Sequence, residues 1–119
     1  MIRLKRVYDP PSPKDGTRVL VDRVWPRGLS SAKIKIGAWM GDLGPSTPLR
    51  KWFAHDPAKW EVFRTRYLRE LAGKRSMLDQ LSACARGGRL TLVYGARDPL
   101  RNQAVVIKEM LEKGTQGRR

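Results

Sequence analysis

A chain of 119 residues and 13.6 kDa has room for one domain, and one of this size buries enough surface to hold a core without metals or disulfides. Its single cysteine, Cys84, and single histidine, His55, exclude an intramolecular disulfide and a zinc site built on Cys or His clusters. Lys and Arg number 25 against 11 Asp and Glu, a formal net charge of +14 that draws in polyanions, while no apolar run reaches the ~18 residues of a membrane span.

Residues 2–7 alternate apolar and basic, the period-two pattern of a half-buried strand. The strand stops at a run of turn formers, residues 9–16. Residues 17–22 centre on Val19-Leu20-Val21, which predicts a strand buried on both faces. Trp25-Pro26-Arg27-Gly28 closes it, because proline cannot continue a central ladder. In residues 32–40, Ile34 and Ile36 alternate with Lys33 and Lys35, which favours a strand running into Trp39, and 41–46 reads as a link.

Helices follow. Thr47-Pro48 pairs a capping residue with proline at the first helical position and opens a short helix to residue 53 or 54. Asp56-Pro57 repeats the signal and opens the longest helix, to about residue 72, where Trp60, Phe63, Tyr67 and Leu71 form one apolar stripe. Glu70 stands one turn from Arg66 as an ion-pair partner. Ser76 caps a further helix that Gly87-Gly88 ends; Cys84 on it reads as a buried, inert thiol. A strand at 89–94 comes next. Asp98-Pro99 then opens a last helix that buries Leu100, Ala104, Ile107 and Leu111 and stops at Gly114. Apolar strands alternating with helices predict a single α/β domain over residues 1–113, with a small, largely parallel sheet flanked by about four helices. Residues 114–119 are expected to form a flexible basic tail.

Two segments share one design, a buried strand followed by an arginine-rich polar stretch: Asp22-Arg23-Val24-Trp25-Pro26-Arg27 and Tyr94-Gly95-Ala96-Arg97-Asp98, the second running on to Asn102. Ligands in open α/β sheets sit outside the carboxyl ends of strands. If the two strands are parallel neighbours, Arg23, Arg27 and Arg97 converge beside Trp25 and Tyr94. Arginine forks suit phosphate, an indole face suits a base, and Asn102 offers an amide. Asp22 and Asp98 are expected to orient arginines or to bind a sugar hydroxyl. They also stand as candidate acid–base groups, beside His55, whose neighbour Asp56 makes a possible relay. The blander alternatives are internal ion pairs for the two aspartates, a core plug for Trp25 and a packed hydroxyl for Tyr94. No G-x-G-x-x-G or Walker loop occurs, so no cofactor or metal is implied.

The phrases resemble the YeaO-like family of small bacterial proteins, a domain of unknown function. Carrying the likeness are Arg18-Val19-Leu20-Val21-Asp22-Arg23-Val24-Trp25-Pro26-Arg27-Gly28, then Leu49-Arg50-Lys51-Trp52-Phe53, and finally Tyr94-Gly95-Ala96-Arg97-Asp98 with Asn102-Gln103-Ala104. It implies a compact α/β fold and a cytoplasmic bacterial setting, with no established substrate. The family pattern often has an acidic residue and a histidine ahead of the Asn-Gln-Ala phrase; this chain has Leu100-Arg101 there, which leaves His55 as its sole imidazole.

The expected function is therefore binding of a phosphate-bearing ligand, a nucleotide or nucleic acid, in an arginine-lined crevice at strand ends, with no membrane partner. The alternatives are a nucleic-acid-binding protein that uses the outer face of the 57–72 helix and the first strand, and a small hydrolase or transferase that uses His55.

Overall fold

Four strands, β1 (Ile2–Arg6), β2 (Thr17–Leu20), β3 (Ala38–Trp39) and β4 (Leu90–Tyr94), pair in the order β1-β4-β2-β3, all parallel. The structure is a computed structural model that describes residues 2–116. Central β4 is buried along its whole length, with Leu92 in register with Leu4 on one side and Val19 on the other. Strand alternation divides the apolar residues between two cores. Val19, Val21, Leu90, Leu92 and Tyr94 face the larger one, and Leu20 and Val93 face a smaller cluster with Val7 and Ile34. Both faces are thus covered, as a parallel sheet requires.

The larger core is built by α2 (Thr47–Phe53), α3 (Trp60–Ala72), α4 (Arg75–Gly87) and α5 (Gln103–Gln116). Phe53 stacks on Phe63 at 4.2 Å between ring centroids, and Tyr67 donates its hydroxyl to the Leu43 carbonyl at 2.5 Å. The α3 stripe expected from the sequence is present: Phe63, Tyr67 and Leu71 are buried, with Trp60 half-buried beside Phe53.

The thinner face is covered by α1 (Ser31–Ile34) and by a polar network that sequence periodicity does not reveal. Asp15, fully buried, accepts from Arg18 Nη1 at 2.7 Å and from Lys5 Nζ at 3.1 Å, while Thr91 Oγ1 donates to its carbonyl at 2.6 Å. Arg18 also donates through Nε and Nη2 to the Ile34 carbonyl, and through Nε to that of Lys35. Gly16 enters β2 at φ +66°, with Arg89 so close that an added Cβ would lie 2.4 Å from its carbonyl oxygen. Glycine alone fits there. Among the described residues no buried side-chain nitrogen or oxygen lacks a partner.

Several element boundaries depart from expectation. The segment before Trp39 is helical over Ser31–Ile34, so the strand there shrinks to Ala38–Trp39 and five α-helices result. Ser46, not Thr47, caps α2, its hydroxyl accepting from Leu49 N–H. Asp56 caps a single 3-10 turn, Pro57–Lys59, ahead of α3. Lys74 precedes α4, which leaves Ser76 inside the helix. Glu70 does not pair with Arg66: its carboxylate accepts the N–H and hydroxyl of Ser46 at 2.8 and 2.5 Å and ties α3 to the start of α2. Cys84 is half-buried against the larger core. The last helix runs through Gly114 to Gln116; what remains of the expected tail, residues 117–119, lies outside the described residues.

Candidate functional site

Beyond the carboxyl ends of β2 and β4 lies a cavity of about 250 Å³. Asp22 stands at its back and joins three segments. Its Oδ2 accepts the Gly95 N–H at 2.9 Å just past β4, its Oδ1 accepts the Gln103 side-chain amide at the first turn of α5, and its carbonyl accepts Trp39 Nε1 at 2.7 Å. An added Cβ at Gly95 would fall 2.6 Å from Asp22 Oδ2, so a larger residue there would displace the carboxylate. Burial pushes the Asp22 carboxyl up to about 6, against the opposing pull of the Gly95 and Gln103 donors.

Three arginines line this space: Arg23 after β2, Arg50 on α2 and Arg101 before α5. Arg23 is held by the Pro45 carbonyl through Nε at 2.8 Å and by the Gly44 carbonyl through Nη2 at 2.9 Å. Its Nη1 keeps only a distant contact with exposed Asp42, at 3.9 Å. Arg101 leans on Asp98 at 3.3 Å. Arg50 is exposed, and its side chain has no partner among the described residues. Phe53 and Phe63 supply an apolar floor, and Tyr8, Val24 and Trp25 an apolar rim. His55 completes the lining. Ala54 and His55 both take positive φ, 48° and 57°, an uncommon conformation for side-chain-bearing residues that turns the chain out of α2 toward the cavity.

The start of α5 corrects the sequence expectation. Asp98 Oδ1 accepts from Leu100 N–H at 2.9 Å and closes a local turn, and the helix begins only at Gln103. Asn102 is the cap: its Oδ1 accepts from Val105 N–H at 3.2 Å and its Nδ2 donates to the Asp98 carbonyl at 2.9 Å. Leu100, expected in the core, is 70% exposed. The arch over 98–102 carries Arg101 to the cavity, and Asn102 and Gln103 at the start of α5 line it as well.

Residues 1–119 match the model of a family described as the inactive DUF488-N3 subclade. The chain belongs to this family. Uncharacterized protein YeaO of Escherichia coli is 40% identical over 110 residues, covering 92% of this chain and 96% of that protein. Uncharacterized protein Rv3073c of Mycobacterium tuberculosis is 36% identical over 110 residues, 92% of each chain. No solved structure matches. The YeaO-like resemblance read from the sequence phrases is thus borne out.

In this DUF488-N3 chain the residues singled out from sequence divide. Asp22, Arg23, Trp25, His55 and Asn102 line the cavity. Arg27 and Arg97 are exposed and are not part of its lining, so the three-arginine cluster assumed from sequence is replaced by Arg23, Arg50 and Arg101. Tyr94 is buried in the larger core, and burial pushes its hydroxyl above the ordinary range. Trp25 serves the smaller core as well as the rim: Nε1 donates to the Leu29 carbonyl at 2.7 Å, and the ring meets Trp39 edge-on at 5.1 Å. Asp98 pairs with Arg101, whereas Asp22 has no arginine partner among the described residues. The Asp56 carboxylate accepts from Ala58 N–H and makes no described bond to His55. Gln103 follows Asn102 in the second arginine-rich segment read from the sequence, and Arg50 was within reach of the same reasoning, lying inside a quoted phrase. Arg50 sits on a helix with no strand exit to flag it. Among the described residues no group of His, Cys, Asp and Glu is arranged to hold a metal ion, and no helix is long and apolar enough to cross a membrane.

Proposed function

We propose that the protein is a binding module that holds a phosphate-bearing ligand in the cavity beyond β2 and β4. The observation that carries it is the lining: guanidinium groups of Arg23, Arg50 and Arg101, drawn from three separate segments, around one small space with an aromatic rim. Guanidinium forks match phosphate oxygens in pairs, and arginine is the side chain suited to that geometry. Arg23 is positioned by two carbonyls, which fixes a cation without neutralising it. Arg50 is uncommitted and supplies the adjustable contact. The amino-terminal end of α5 borders the cavity through Asn102 and Gln103 and adds a favourable dipole. Asn102 and Gln103 do not reach for a ligand in this scheme. Their amides are spent on Asp98, Val105 and Asp22, so they shape the wall.

Binding fits better than turnover. Catalysis by a His55–Asp56 relay has against it the use of Asp56 as a cap, and the family is described as inactive. Thermal-shift and calorimetric titration with inorganic phosphate and nucleoside phosphates tests the proposal. Arg50→Ala and Arg101→Ala should each weaken binding by roughly 10- to 100-fold, the worth of a charge-assisted hydrogen bond. Arg27→Ala and Arg97→Ala should leave it unchanged. A melting temperature indifferent to every phosphate compound, or wild-type affinity in both cavity variants, overturns the proposal.

A further inference from the structure

We propose that the ligand is the end of a single-stranded nucleic acid, whose following nucleotides cross α2 into the neighbouring groove. This rests on the phosphate-binding reading of the cavity and narrows it. At about 250 Å³ the cavity falls below the ~300–1,000 Å³ of pockets that enclose a drug-sized ligand, so it accommodates a terminal phosphate and part of a nucleotide. What is attached must leave over the rim.

Helix α2 borders the cavity and contributes residues to a second site as well. Arg50 and Phe53 line the cavity, while Leu49 and Trp52 line a second, more open groove of about 480 Å³ against α3. Neighbouring residues lie about 100° apart round a helix, so a ligand touching both has to span ~8 Å, which a polymer does and a free phosphate does not. The groove is cationic and aromatic. The Arg66 guanidinium lies 4.5 Å from the Trp52 ring centroid, and Lys59 Nζ lies 5.1 Å from it while donating to the Trp52 carbonyl at 2.9 Å. Arg66 and Arg69 are exposed and have no carboxylate partner among the described residues. The one acid in the groove, Glu70, is engaged by the N–H and hydroxyl of Ser46. This surface belongs to the segment 57–76, which holds six basic and two acidic side chains. Cations interleaved with an aromatic ring are what single strands bind, through phosphates and stacked bases.

The experiment compares a nucleoside monophosphate with a terminally phosphorylated single strand of about six nucleotides, a length typical of small single-strand sites. The strand should bind about tenfold tighter than the mononucleotide, in keeping with one stacked base or more. Doubly substituted Arg66→Ala, Arg69→Ala protein should lose that advantage and keep its mononucleotide affinity. With about three phosphates neutralised in the groove, an advantage of about tenfold at 200 mM salt should grow by a further factor of about twenty at 50 mM. Equal affinity for the two ligands leaves the cavity proposal standing and overturns this one, as does a double variant that keeps the full advantage. Failure of both ligands to bind overturns the cavity proposal itself. Strand binding that survives Arg50→Ala, or that polyglutamate of equal charge competes away, also overturns the inference, because the end would not be in the cavity or the polymer would be recognised only as charge.

Discussion

Asp22 owes its chemistry to position. It follows a buried strand, so its carboxylate is drawn out of water, and its two oxygens face donors from Gly95, just past β4, and from α5 rather than a cation. An acid whose pKa is higher in the folded state than in the unfolded chain favours folding in its protonated form. That contribution is complete below the ordinary 3.8 and is lost as pH rises through about 6. Asp22→Asn keeps an oxygen for Gly95 and removes the buried charge, and the Gln103 amide can turn to meet the new donor. The variant should therefore be more stable than the wild type by about 1–2 kcal/mol at neutral pH, with the gap closing toward pH 3.8. Urea unfolding across that range is the measurement; a gap independent of pH would mean that the gain has another origin. At this scale the sequence was informative about Asp22 and Arg23, because a polar residue directly after a Val-Leu-Val strand has few places to go. It was misleading about Arg27 and Arg97, which sit in the same phrases. Their exposure depends on loop paths that no local pattern specifies.

Among the elements, the entry to α5 decides how the cavity is walled. Aspartate before proline is a strong capping signal, yet here it closes a turn of its own and leaves the cap to Asn102. The reason lies in packing: Ala104, Ile107 and Leu111 must face the sheet, whereas Leu100 finds no core contact and stays outside. Asn102→Ala removes both the bond to Val105 and the tie to the Asp98 carbonyl, and should cost about 1–2 kcal/mol. Asp98→Ala removes the bond to Leu100 and the contact with Arg101, both at the surface, and should cost less in chemical unfolding. The reverse order would restore Asp98 as the helix cap. The same lesson holds at α2, where Ser46 caps the helix because Glu70, a partner 24 residues away, holds it in place.

For the whole molecule, the buried Lys5–Asp15–Arg18 cluster is the main polar commitment of the fold. Asp15 is below its usual pKa: burial works against the charge, but the donors from Lys5, Ser12 and Arg18 outweigh it. Its stabilisation is present above 3.8 and is lost as pH falls through the lower folded-state value. Asp22 acts in the opposite sense, so the summed contribution of these two groups peaks near pH 3.8 and declines as pH rises toward about 6. Asp15→Asn strands two cations under the sheet and should destabilise by about 3–5 kcal/mol, seen as a lower urea midpoint at neutral pH. A loss below 1 kcal/mol would show that water reaches the cluster.

Sequence alone determined three of the four strands, the apolar stripe of α3, the parallel α/β architecture and the cationic field, because each follows from periodicity, turn chemistry or composition within short windows. Tertiary structure alone decided which guanidinium groups share a space. Arg23 is steered by carbonyls 21 and 22 residues further on, and Arg101 by an arch whose shape depends on where α5 docks. The end of a long, flexible side chain is placed by whatever surrounds it, and those surroundings are assembled from parts of the chain that periodicity cannot connect.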